Sequence, residues 1–157
     1  MALEFSPETL KKFEATTARY PKKEAAMLPV LYLAQREFGH LGPAAVEYVA
    51  KLMDQAPARV QGVVSFYTMY NMKPIGRHHI QVCRTLPCAL RGAEQVTGML
   101  KRKLGIECGQ TTADGRFTLS EVECLASCGT APMMQINDDY YENLTEEKIN
   151  EILDGMK

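Results

Sequence analysis

The chain has almost no net charge, few histidines and no long apolar run, and each shortage removes a class of function. Its 18 Lys and Arg against 19 Asp and Glu leave a formal charge of −1, so it carries no electrostatic footprint for nucleic acid. No apolar run approaches the roughly 18 residues that span a bilayer. The opening stretch, Met-Ala-Leu-Glu-Phe-Ser-Pro-Glu, lacks the charged-then-apolar plan of a secretory signal. That predicts a cytoplasmic protein that touches a membrane only through a partner. Glycine-rich nucleotide loops, a Ser-His-Asp arrangement and an HExxH motif are all missing, so the chain alone has no nucleotide or substrate site. No repeat or low-complexity segment interrupts its 157 residues, 46% of them apolar, enough for one domain or two small ones.

Its chemistry is concentrated in cysteines. Cys83 and Cys88 enclose Arg-Thr-Leu-Pro, a C-x4-C pair; Cys124 and Cys128 form a C-x3-C pair; 35 residues separate the two. The fifth, Cys108, stands outside both pairs and reads as a free thiol without a role. Three chemistries compete for the four. A closed zinc tetrahedron suits four thiolates, but zinc pairs usually have two intervening residues and neither pair here does. Disulfides need an oxidising compartment, and an odd cysteine count in a reducing one fits metal ligation better. A [2Fe–2S] cluster takes two thiolates per iron and tolerates looser pairs, because the ligands surround a larger body than one ion.

The flanks add detail. Gly129 follows Cys128 and Gly92 lies four residues after Cys88; both are expected to let backbone N–H groups approach the sulfurs. Four thiolates on a diferric cluster leave a formal charge of about −2, for which Arg84 and Arg91 are candidate counter-charges or simply solvated surface. His78 and His79 lie near Cys83 and would permit Rieske-type ligation, but four cysteines already suffice. The third histidine is His40. Asp138 and Asp139, adjacent in a turn, read as turn formers.

The strings Val-Cys-Arg-Thr-Leu-Pro-Cys and Glu-Cys-Leu-Ala-Ser-Cys-Gly-Thr-Ala-Pro resemble the thioredoxin-like [2Fe–2S] ferredoxins. With Gly-Val-Val-Ser-Phe-Tyr, from Gly62 to Tyr67, and the helical N-terminal region, the likeness extends to one branch. That branch is the family of small iron–sulfur subunits of NADH–quinone oxidoreductase (respiratory complex I), and the likeness runs from about Tyr20 onward. The resemblance implies one [2Fe–2S] cluster on Cys83, Cys88, Cys124 and Cys128, no catalytic residue, and single-electron exchange with a flavoprotein partner that binds NADH and FMN. It implies a helical half that docks on this partner. Equivalent subunits of NAD-reducing hydrogenases and NAD-dependent formate dehydrogenases share the pattern. In a different class, a structural four-cysteine zinc module for protein contacts uses the same residues.

The predicted fold class is α+β, a helical N-terminal domain over 1–73 followed by a thioredoxin-like domain with a small mixed sheet over 78–157. Residues 1–5 read as frayed. Ser6 caps a helix over 7–18 with Pro7 in its first turn. A second helix over 22–38 contains Pro29, which should kink it or move its start; one kinked helix is the expectation. Helices follow over 43–53 and from 57 to about 70, where Phe66, Tyr67 and Tyr70 read as packed core or a partner-facing surface. Period-two apolar spacing predicts a strand over 79–82 delivering Cys83. One helix over 89–104 should bury Leu90, Ala93, Val96, Leu100 and Leu104. Asp114-Gly115 marks a turn before a strand over 117–122. Strands over 133–136 and at 140–141 precede a helix capped by Thr145 and stopped by Gly155.

Overall fold

A computed structural model describes residues 3–156. The chain divides into two compact units, one ending at Pro74 and the other beginning at Ile75. The architecture is α+β, with helices first and a four-stranded mixed sheet after them.

The first unit is helical: α1 (Pro7–Thr17), a 3-10 turn (Lys23–Ala26), α2 (Met27–Phe38), α3 (Pro43–Met53) and α4 (Pro57–Phe66). The Thr9 N–H donates to Ser6 Oγ at 3.3 Å, and proline opens α1, α3 and α4, where a helix N–H has no partner to lose. Residues 1 and 2 lie outside the described residues. The expected fraying does not extend to Phe5, which is buried and donates its N–H to Tyr48 Oη at 2.8 Å. The single kinked helix is also corrected. Pro29 is the third residue of α2, inside the first turn, so the chain shifts the helix start and leaves 23–26 in the tighter 3-10 form. Gly39 closes α2 with φ 79°, a conformation open to glycine. Leu31, Val49, Ala50, Met53 and Val60 form the centre of this core. Helix α4 stops at Phe66, short of Tyr70, because the chain turns to bury Tyr70, whose Oη donates to the Leu28 carbonyl at 2.8 Å.

In the second unit β1 (His78–Cys83) lies between β2 (Phe117–Val122) and β3 (Met134–Ile136), and β4 (Asp139–Tyr141) forms the far edge, giving the order β2-β1-β3-β4. The β1–β2 pairing is parallel, with Ile80 opposite Leu119; β1–β3 and β3–β4 are antiparallel. Parallel strands need a long crossover, supplied by α5 (Leu86–Leu90) and α6 (Ala93–Leu104). Two short helices therefore replace the one expected over 89–104. Gly92, at φ 98°, breaks the run, and Leu90 is 78% exposed instead of inward. Helix α7 (Glu146–Gly155) is capped by the Thr145 hydroxyl and includes Gly155 instead of stopping before it. Ile80, Val82, Leu100, Leu119, Met134 and Ile149 fill the core. Thr118, on the face of β2 opposite to Leu119, is buried as well; its Oγ1 accepts the Gly76 N–H at 2.6 Å and bonds Thr111 Oγ1 at 2.7 Å. No helix of the described residues is long and apolar enough to cross a membrane.

Candidate metal centre

The parallel register decides where the cysteines meet. Cys83, the last residue of β1, sits opposite Val122, the last of β2. Cys124 follows two residues later, so both pairs leave the sheet at the same end of neighbouring strands. Cys88 lies within α5, and Cys128 opens a 3-10 turn over Cys128–Thr130. Cys83 and Cys88 are buried, whereas Cys124 and Cys128 are exposed.

The four thiols act on one another. Burial raises Cys83, but donation from the Thr85 hydroxyl, the Leu125 and Thr85 N–H groups and the Cys88 thiol outweighs it, and the Cys83 thiol ends below its ordinary range. Burial pushes Cys88 up to about 11, helped by the hydrogen bond and charge of Cys83 and the charge of Cys128, against an N–H from Met133. Cys128 is raised by desolvation, then by the charge and hydrogen bond of Cys124 and the charge of Cys83. The two pairs thus form a single electrostatic set. Among the described residues no group of three or more His, Cys, Asp or Glu is placed to hold a metal ion.

Backbone donors surround the sulfurs. Besides those on Cys83 and Cys88, the Ala126 N–H reaches Cys124 Sγ at 3.3 Å, from a residue held at φ 61°. None of these donors is Gly92 or Gly129; the Gly92 N–H goes to the Ala89 carbonyl at 3.2 Å. Leu125, Ala126 and Met133 escaped the sequence reading because a main-chain donor leaves no mark on residue type. Arg84 pairs with Glu123 at 2.6 Å. His79 Nε2 meets Ser120 Oγ at 2.9 Å, and the His78 ring lies 5.4 Å from that of Phe117. Cys108 packs against the second core, and Asp138 sits in the turn between β3 and β4 beside Asn137 at φ 54°.

The family model of the thioredoxin-like [2Fe-2S] ferredoxins matches residues 13–157. The chain belongs to that family. Its four thiols suit the family's group as a donor set, being soft sulfur ligands in two mutually sensitive pairs with backbone N–H groups around them. This ferredoxin is 46% identical over 156 residues to the E subunit of the NADH-quinone oxidoreductase of Rickettsia conorii, covering 98% of this chain and 93% of that one. It is also 46% identical over 157 residues to the mitochondrial NADH dehydrogenase [ubiquinone] flavoprotein 2 of Dictyostelium discoideum, covering 98% and 64%. Its fold is similar to that of an NAD+-reducing [NiFe]-hydrogenase, with a TM-score of 0.74 at 22% identity over 83% of this chain; it spans 22% of the hydrogenase chain.

Proposed function

We propose that this ferredoxin carries one [2Fe–2S] cluster on Cys83, Cys88, Cys124 and Cys128 and serves as the small electron-transfer subunit of an NADH–quinone oxidoreductase. The observation that carries the reading is the parallel register, which brings both cysteine pairs out at the same end of the neighbouring strands β1 and β2, inside the span that matches the family. The parent complex is favoured by relatives that are 46% identical over nearly the whole chain and are named as subunits of it. When bound, the cluster supplies a site that gains and loses one electron. The chain's own part is to hold and tune. The N–H groups of Thr85, Leu125, Ala126 and Met133 direct positive ends at Cys83, Cys124 and Cys88, which stabilises negative charge on sulfur and favours reduction. FMN and NADH belong to a flavoprotein partner, and the complex sits at the cytoplasmic face of the inner membrane.

The helical unit is the docking element in this reading. Phe66 is 78% exposed, and Tyr67, Met69 and Met72 beside it in sequence are each more than a third exposed, a grouping that suits a protein contact. A Phe66→Asp variant of the full chain should lose co-purification with the flavoprotein while keeping its cluster; undiminished co-purification would remove this patch from the interface.

Spectra of the anaerobically purified protein test the cluster. A red-brown protein that bleaches with dithionite and shows an S = ½ signal at low temperature is the expected result. A colourless protein with stoichiometric zinc would overturn it, since zinc is silent in the visible.

A further inference from the structure

The loop that carries Cys124 and Cys128 has no regular structure of its own between Val122 and the turn at Cys128. It is held from the outside, and the residues that hold it come from the edge strand β4 and its exit. Tyr140 Oη donates to the Leu125 carbonyl at 2.9 Å. The Ser127 hydroxyl donates to Glu142 Oε1 and lies 2.8 Å from Thr130 Oγ1. The Asn143 N–H donates to the Thr130 carbonyl at 2.7 Å. Glu142 is fixed in turn by Lys148, whose Nζ donates to its carbonyl at 2.6 Å. Ser127 is the residue next to Cys128, so the carboxylate reaches the cysteine pair through one side chain.

We propose that Glu142 is a positioning residue: its carboxylate, acting through Ser127 and Thr130, braces the second cysteine pair and adds negative charge beside it. Two consequences are separable. The brace acts in the metal-free chain as well, because every contact in it is made by the chain itself. The charge acts on the redox behaviour and presupposes the cluster proposed above. Glutamine at 142 keeps the acceptor oxygen for Ser127 and removes the charge; alanine removes both. The charged carboxylate disfavours an added electron, so its loss makes reduction easier.

Two measurements on the full chain test this. In the metal-free protein, amide hydrogen exchange should quicken across 124–130 in Glu142→Ala, return toward the parent rate in Glu142→Gln, and stay unchanged in β1. Unchanged exchange across 124–130 in Glu142→Ala, or an equal rise in β1, would overturn the brace. In the reconstituted protein, Glu142→Gln should shift the reduction equilibrium several-fold toward the reduced form, each tenfold being about 59 mV for one electron. A potential identical to the parent's would overturn the charge role. A parent protein that takes up no iron would refute the cluster, while the exchange result would still decide for or against the brace.

Discussion

Gly76→Ala should destabilise the second unit, although the residue lies in Lys73-Pro74-Ile75-Gly76, the stretch that marks the boundary between the two units. A Cβ at 76 would fall 2.8 Å from the Phe117 carbonyl carbon and 2.9 Å from both the carbonyl carbon and oxygen of Arg116. These are backbone atoms at the start of β2, and they cannot swing aside as a side-chain tip could. Relieving the overlap means moving the first rungs of the parallel β1–β2 pairing, at about 1–3 kcal/mol for overpacking. The same shift strains the buried bond from the Gly76 N–H to Thr118 Oγ1 at 2.6 Å, worth about 0.5–1.5 kcal/mol net. The lower entropy of the unfolded alanine chain returns about 0.4–1 kcal/mol. The balance of these terms is a loss centred on about 2 kcal/mol. With a urea slope of about 1–3 kcal/mol per molar, the midpoint should fall by about 1 M, followed by far-UV dichroism and by exchange of the β1 amides. A Thr118→Val variant removes the bond but not the space, so the double variant should lose less than the sum. A Gly76→Ala protein within about 0.5 kcal/mol of the parent, the range of ordinary surface changes, would refute the packing argument.

Tyr70→Phe should cost about 1 kcal/mol through the lost bond to the Leu28 carbonyl, more if that carbonyl stays dry; thermal melting checks it, and an unchanged midpoint would count against the bond. Burial holds His79 below its ordinary value of 6.5. Its neutral form is favoured in the fold, so stability is full above that pH and is lost as the pH falls through the depressed value. His79→Gln should flatten the pH dependence of unfolding below about 6.5; a slope equal to the parent's would show that other groups set it. Cys124→Ser should lower iron content or shift the EPR signal, and an unchanged spectrum would sink the assignment of that ligand.

The elements with strong local signals were legible. Pro43–Met53 and Phe117–Val122 appear with the boundaries their patterns predict, because a proline start, a heptad-like apolar stripe and a β-branched or aromatic run are each written in adjacent residues. Failures came where tertiary contacts decide. Leu90 has the spacing of a buried helix position, yet Gly92 ends the turn first and leaves it outside. Thr118 is polar and yet buried, on the face of β2 away from Leu119, because the chain brings Gly76 and Thr111 to its hydroxyl. At the candidate site the four cysteines are visible as residue types, whereas the backbone donors and the brace from Tyr140 and Glu142 depend on which segments β4 and its exit are folded against.

The long gap between the cysteine pairs follows from the same topology. Two antiparallel strands would bring the end of one beside the start of the next and need only a few residues between pairs. Parallel strands bring like ends together, so the chain must travel the full crossover and the whole of β2 before the second pair. The 35 residues between Cys88 and Cys124 are thus a measure of connectivity and not a requirement of the metal. Length can then be added where it leaves the strand ends alone. The turn over 113–115 precedes Phe117, which lies at the far end of β2 from Val122, about 17 Å away at the usual strand rise. Three residues inserted after Ala113 lengthen the gap from 35 to 38 (35 + 3) and should leave iron content per chain unchanged. A single glycine inserted after Val122 changes the gap by one residue but displaces Cys124 from the end of the rung that pairs Cys83 with Val122, and should abolish binding. Equal losses in the two insertions would mean that spacing in the chain, and not register at the strand ends, governs the site.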